Sequence, residues 1–188
     1  MNDKQTQLIE ASIDLFAQEG FWNTPTSRIA KHAGVATGTL FNYFESKDVL
    51  IDAVYKQLKQ EWMSHMMTGY PENGSFKARV EHIWFRFIDW GVRFPMRYSL
   101  MTQLKLSDLV SEEVKQSQAA EMAFAYTMIE QGITDGQFVD VPPGYLGMIF
   151  YAEMDAAVHF AIENNLGDMS LTRHITQGFD IFWKGVTG

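Results

Sequence analysis

The residues with the clearest chemical address lie between Thr24 and Phe44, in the stretch TPTSRIAKHAGVATGTLFNYF. Two short helical segments, about residues 25–33 and 37–43, flank a turn at Gly34, which is the pattern of a helix-turn-helix. Ile29, Ala30, Ala33, Val35 and Leu40 are apolar at spacings that lock the pair against a preceding helix, and the small Ala30 and Ala33 permit a close crossing. The outward positions of the second segment, Thr37, Gly38, Thr39, Phe41, Asn42 and Tyr43, are small or hydrogen-bonding. Such a surface suits a helix whose N-terminal half enters a major groove. Gly38 lets backbone approach closely, and Asn42 carries the donor and acceptor that read adenine or bond a phosphate. Tyr43 and Lys47 stand where phosphates would be met, Lys47 at a helix start that favours anions. The same residues also describe a plain helical hairpin with a solvated polar face, and residue types alone leave both open.

Charge bears on that choice. The 188 residues carry 15 Lys and Arg against 23 Asp and Glu, a net charge of −8, which repels a phosphate backbone. Within residues 24–47, however, Arg28, Lys31 and Lys47 face the single Glu45. The acidity sits elsewhere, so a small basic face survives. With 46% hydrophobic and 20% charged residues the chain can bury a real core. The absence of cysteine excludes a disulfide scaffold, a zinc–cysteine site and a thiol nucleophile. No apolar run is long enough to span a membrane, and the start MNDKQTQLIE lacks the pattern of a signal peptide, so the expected location is the cytoplasm. No Gly-rich phosphate loop, HExxH or Gly-x-Ser-x-Gly occurs, which argues against an enzyme, and no cofactor or metal is expected. A helix-turn-helix serving a protein partner instead of DNA is the other reading.

Nearly unbroken helical periodicity supplies the elements that must hold this segment. A first helix carries Leu8, Ile9, Ile13, Leu15 and Phe16 on one face and stops at Gly20. Thr24 is placed as the cap of the next helix, with Pro25 at its first position. Ser46 caps a long helix that reaches towards Met67, with Leu50, Val54, Leu58 and Trp62 on one stripe. Residues 69–75, GYPENGS, form the clearest break. Further helices are expected at about 76–94, 96–104, 109–131, 142–165 and 171–186. The helix at 76–94 is apolar nearly all round, which places it in the middle of a bundle. No strand-like alternation and no repeat stands out, so the chain reads as all-α.

From Ile9 to about Tyr55 the sequence resembles the DNA-binding domain of the TetR/AcrR family of one-component transcriptional regulators. The resemblance rests on Leu15-Phe16, Glu19-Gly20-Phe21, Thr24, Ile29-Ala30, Ala33-Gly34-Val35, Gly38-Thr39-Leu40, Tyr43-Phe44 and Ser46-Lys47, at the family's spacing without a gap. It implies a three-helix helix-turn-helix DNA-binding domain at residues 1–47, a connecting helix at 48–70 and a helical ligand-binding and dimerisation domain at 71–188. It further implies DNA contacts from Thr26, Ser27, Arg28, Thr37, Gly38, Thr39, Asn42, Tyr43 and Lys47. Three positions depart from the family pattern. Ala36 replaces a capping Ser, so Thr37 is expected to cap; Phe41 replaces a frequent Tyr; and Arg28 stands where an acid is common. The implied function is a repressor released from a palindromic operator on double-stranded DNA by a small hydrophobic or amphipathic effector. The implied assembly is a homodimer joined by its last two helices in a four-helix bundle.

Candidate ligand contacts are Trp62, Met66, Trp84, Phe87, Met101, Leu104, Met122, Tyr126, Phe150, Met154 and His159. Met and aromatic residues at helical spacing serve a core equally well, and the residues alone do not choose. Asp155 and His159, four apart on one helix face, either orient a polar ligand group or form a solvated pair. The last two helices carry apolar residues on more than one face, with Leu146, Ile149, Phe150, Ala157 and Ala161 as one set and Met148, Tyr151, Val158 and Ile162 as another, so that one face can pack within the domain and the other on a partner.

Overall fold

The computed structural model describes residues 3–121 and 123–187; Met122, one of the candidate ligand contacts, lies outside them. The described residues form ten helices and no strand: α1 (Asp3–Glu19), α2 (Thr26–His32), α3 (Thr37–Tyr43), α4 (Lys47–Met67), α5 (Phe76–Arg93), α6 (Pro95–Leu106), α7 (Glu112–Glu121), α8 (Ala123–Thr134), α9 (Pro143–Glu163) and α10 (Asp168–Val186). The all-α expectation therefore holds, and most helix ends fall within a few residues of their sequence signals. Where one helix was expected over 109–131, helix is described on both sides of position 122.

Two compact units divide the chain, one of Met1–Glu61 with Met96–Gln118 and one of Trp62–Pro95 with Ala119–Gly188. In the first, α2 packs on both α1 and α3. Leu8, Ile13, Phe16, Ile29, Ala30, Leu40 and Phe44 are buried. Gly20 (φ +79°) and Gly34 (φ +69°) take the left-handed conformations that end α1 and make the turn.

Two expected caps are not formed. Pro25 is the N-cap of α2, while the buried Thr24 donates its hydroxyl back to the Gly20 carbonyl at 2.8 Å. That carbonyl lies just beyond α1, where helical partners run out, and it wins the hydroxyl. α3 begins at Thr37 itself, so Thr37 is its first helical residue and Ala36 its N-cap, with no side-chain bond. Ser46 does cap α4, its Oγ accepting from Val49 N–H at 3.2 Å.

The first unit also holds α6 through Arg97. Its guanidinium donates to Glu10 Oε2 on α1 at 2.6 Å and to both carboxylate oxygens of Glu61 on α4 at 3.0 and 2.8 Å. Forked geometry of this kind fixes direction as well as distance. Asp52 Oδ1 accepts from Ser111 N–H at 2.9 Å, tying the start of α7 to α4.

In the second unit α5 packs on α9 and α10, and α9 on α8. Trp84 sits at the centre, its ring 5.4–6.0 Å from those of Phe150, Phe179 and Phe182 and its Nε1–H donating to Ile175 O at 3.0 Å. This satisfies the one polar atom that burial would otherwise orphan. Gly132 touches a second aromatic group, because a Cβ there would stand 2.4 Å from Phe76 Cζ and 2.7 Å from Phe138 Cδ2. Gly132→Ala is therefore expected to lower stability by about 1–3 kcal/mol. Gly185→Ala, on α10 with open space around it, is expected to be neutral or stabilising by up to about 1 kcal/mol. Urea midpoints of the two variants check the contrast.

Candidate nucleic-acid interface and ligand cavities

α3 is a seven-residue helix with one fully buried side chain, Leu40, at its centre. Rotation about that anchor decides the rest. Thr37, Gly38, Phe41 and Asn42 are exposed, while Thr39 and Tyr43 are half-buried. Nothing lies within 4 Å of a Cβ built on Gly38, so the helix surface there is open to another molecule. On α2, Ser27 and Arg28 are exposed and Thr26 is half-buried. The sequence thus presents the expected polar set on the outside of the helix pair.

The two basic residues of that set already have partners. Arg28 Nη2 pairs with Glu19 Oε1 at 2.5 Å. Lys47 Nζ donates to the Phe21 carbonyl at 2.5 Å and lies 5.8 Å from the centre of the Phe16 ring. Burial lowers the Lys47 pKa, with Asp48 partly opposing it. An ammonium has three donors, so one spent on Phe21 leaves two for a phosphate. Lys47 consequently staples α4 to the turn after α1 and still offers charge. Trp22, next to the carbonyl that holds Lys47, is 73% exposed. A large aromatic so exposed, in a turn beside Gly20, is unusual for a residue without a packing role.

The candidate ligand residues separate. Met101 and Leu104 are buried in the first unit. In the second, Trp84 and Phe150 stack in the aromatic centre. Trp62 meets Phe87 edge-on at 5.8 Å, and Met66 and Met154 are buried. Tyr126 is exposed, and so is His159, whose Nε2 stands 3.8 Å from Asp155 Oδ2. Among the described residues, the second unit has recesses at two places. One, of about 460 Å³, is lined by Met67, Tyr70, Glu72, Arg79, Phe124, Thr127, Met128 and Gln131. The other, of about 330 Å³, runs between α9 and α10 beside Trp84, Glu153, Phe160 and His174. Of the candidates only Trp84 lines either. No group of three or more His, Cys, Asp or Glu among the described residues could hold a metal ion.

The end of α4 is fastened to α5 by polar contacts. Arg86 Nε donates to His65 O at 2.9 Å, and His82 Nε2 bonds Met66 O at 2.9 Å, satisfying carbonyls that the helix end leaves open. Asp89, buried on α5, accepts from Arg93 Nε at 2.6 Å and meets His65 Nε2 at 3.0 Å. A carboxylate only accepts, so His65 Nε2 carries the proton. Burial lowers the His65 pKa, the Arg86 charge lowers it further, and Asp89 offsets this only in part.

Residues 8–54 match the family model described as bacterial regulatory proteins, tetR family. The chain is 30% identical over 77 residues to the fatty acid metabolism regulator protein of Bacillus subtilis, covering 41% of this chain and 40% of that one. It is 25% identical over 160 residues to the HTH-type transcriptional regulator RutR of Escherichia coli K12, covering 84% of this chain and 75% of that one. A crystal structure described as a tetR family transcription regulator from Shewanella sp. PV-4 superposes over all of both chains with a TM-score of 0.88 and 25% identity.

Two outcomes are expected from this geometry. Asn42→Ala should cost about 1–3 kcal/mol of DNA binding and relax choice at one base position, whereas Lys47→Ala should weaken binding to all sequences alike and reduce the salt slope by about one. Competition binding on a base-substitution panel at several salt concentrations separates them. The folded protein takes up a proton at His65 less readily than the unfolded chain, which does so near pH 6.5, so stability is expected to fall as pH drops below about 6.5. His65→Gln, which keeps a donor towards Asp89, should flatten that slope in urea titrations between pH 7.5 and 5.5.

Proposed function

Because the chain belongs to the TetR family of transcriptional regulators, and is not an enzyme, we propose that it is a ligand-responsive repressor. In this reading it binds a palindromic operator as a homodimer and leaves it when a small hydrophobic or amphipathic effector binds, all in the cytoplasm. The observation that carries this is α3, where one buried leucine holds a short helix whose Thr37, Gly38 and Asn42 face outwards. Residues 1–47 supply the DNA-binding domain and 48–70 the connecting helix, which contributes to both compact units. Residues 71–188 supply effector binding and dimerisation. Effector binding between the helices of residues 76–131 shifts α4, changes the spacing of the two recognition helices, and so lowers affinity for paired half-sites. The name of the Bacillus subtilis relative supports an apolar effector; the recess at the end of α4 supports one of modest size.

Exposed apolar residues on the last two helices support the dimer. Tyr145, Met148 and Phe160 on α9, with Met169 and Ile181 on α10, are all more than half exposed, which is a poor surface for a lone molecule in water. The two apolar sets of α9 do not divide cleanly into an inner and an outer face, since Met148 is exposed while Val158 of the same set is fully buried. A two-fold pairing through α9 and α10 would set two α3 helices about 34–36 Å apart, one turn of DNA. It would also answer the charge problem, since a net charge of −8 leaves little non-specific attraction and affinity must come from two half-sites together.

Met148→Asp combined with Ile181→Asp is the test. Sedimentation is expected to give a dimer for the wild type and a folded monomer for the variant. The variant should lose about 100-fold or more in affinity for a two-half-site duplex. A wild-type monomer at micromolar concentration would contradict the proposal.

A further inference from the structure

The recess at the end of α4 carries a feature that an apolar pocket does not need. Arg79, on the first turn of α5, lines it, and its Nε is shut off from solvent without a hydrogen-bond partner among the described residues. Its guanidinium packs 5.8 Å from the centre of the Phe76 ring. A guanidinium stays charged at any working pH, and this one borders a mainly apolar wall. The rest of the wall is mainly apolar, from Met67, Phe124 and Met128, with the Tyr70 hydroxyl only 4.0 Å from Met128 Sδ. The volume of about 460 Å³ is that of a small-molecule site.

We propose that this recess binds an amphipathic monocarboxylate, with its carboxylate on Arg79 and its apolar body against Met67, Phe124 and Met128. A carboxylate carries the charge that answers the Arg79 guanidinium, which an amide or an amine does not. Glu72 also borders the recess, but it is exposed whereas Arg79 is half-buried, so the charge of Glu72 is the more strongly solvated and screened. The inference deepens the effector-binding reading of the second unit and rests on it for function, though not for binding.

Isothermal titration of the full-length protein tests it with decanoate, decanamide and decylamine, three probes that share a chain and differ in the head group. Decanoate is expected to bind the wild type at least tenfold more tightly than decanamide, and decylamine to bind no better than decanamide. Arg79→Gln should abolish the preference for decanoate, Glu72→Gln should strengthen decanoate binding, and Thr127→Trp, which fills the recess without touching its charges, should weaken both decanoate and decanamide. Equal binding of decanoate and decanamide to the wild type would overturn the proposal even if Arg79→Gln failed to fold. So would a decanoate preference that survives in a folded Arg79→Gln. Release of DNA by decanoate is measured separately: binding that leaves the DNA complex intact would overturn the repressor mechanism and leave the carboxylate site standing.

Discussion

A helix of seven residues has no stability of its own in water, because it is too short to repay the cost of nucleation. α3 exists because Leu40 is driven into the core that α1 and α2 build, with Ile29 and Ala30 fully buried beside it. Everything the first unit can do to DNA follows from that anchor. Once Leu40 is inside, the helical repeat puts Gly38 and Asn42 on the opposite side, and Phe41 and the first residue, Thr37, are exposed as well. The supports are themselves pinned. Lys47 holds the turn after α1 to the start of α4, and Arg97 binds α1 and α4 together from α6. A recognition surface that must match a groove within fractions of an ångström needs this kind of scaffold.

The second unit solves a different problem. Its centre is a closed aromatic group around Trp84, too well packed to yield space cheaply. Room is left at its margins, between α9 and α10 and at the end of α4, where the helix end is held by Arg86 and His82 through its last carbonyls. A helix whose terminal turn is fixed by side chains of a neighbour follows that neighbour when it moves. In the proposed mechanism, occupancy of the recess beside Met67 acts on α4 through these bonds.

Much of this was legible in the sequence, for identifiable reasons. Helix ends marked by Gly20, Gly34, Pro95 and the GYPENGS turn fell near their signals, because backbone restrictions at Gly and Pro are local. The buried and exposed faces of α3 were legible from periodicity. The caps at Thr24 and Thr37 were misplaced because hydroxyls have competing acceptors that only the folded chain brings near; Thr24 found the Gly20 carbonyl. The grouping of α6 with the first unit was not legible, since it rests on Arg97 meeting Glu10, 87 residues away. The recess is not legible because Met and aromatic residues at helical spacing line it and the core alike, Met67, Phe124 and Met128 in the one and Trp84 and Phe150 in the other.

The central claim is that a net-acidic chain reads DNA through two copies of α3 acting together. Selection of bound sequences from a random duplex library, with the full-length protein at two salt concentrations, tests it most directly. The account predicts enrichment of a palindrome, with half-sites set by a dimer and with enrichment surviving at the higher salt because base contacts supply the discrimination. Absence of enrichment at both salt concentrations, from folded and dimeric protein, would contradict it.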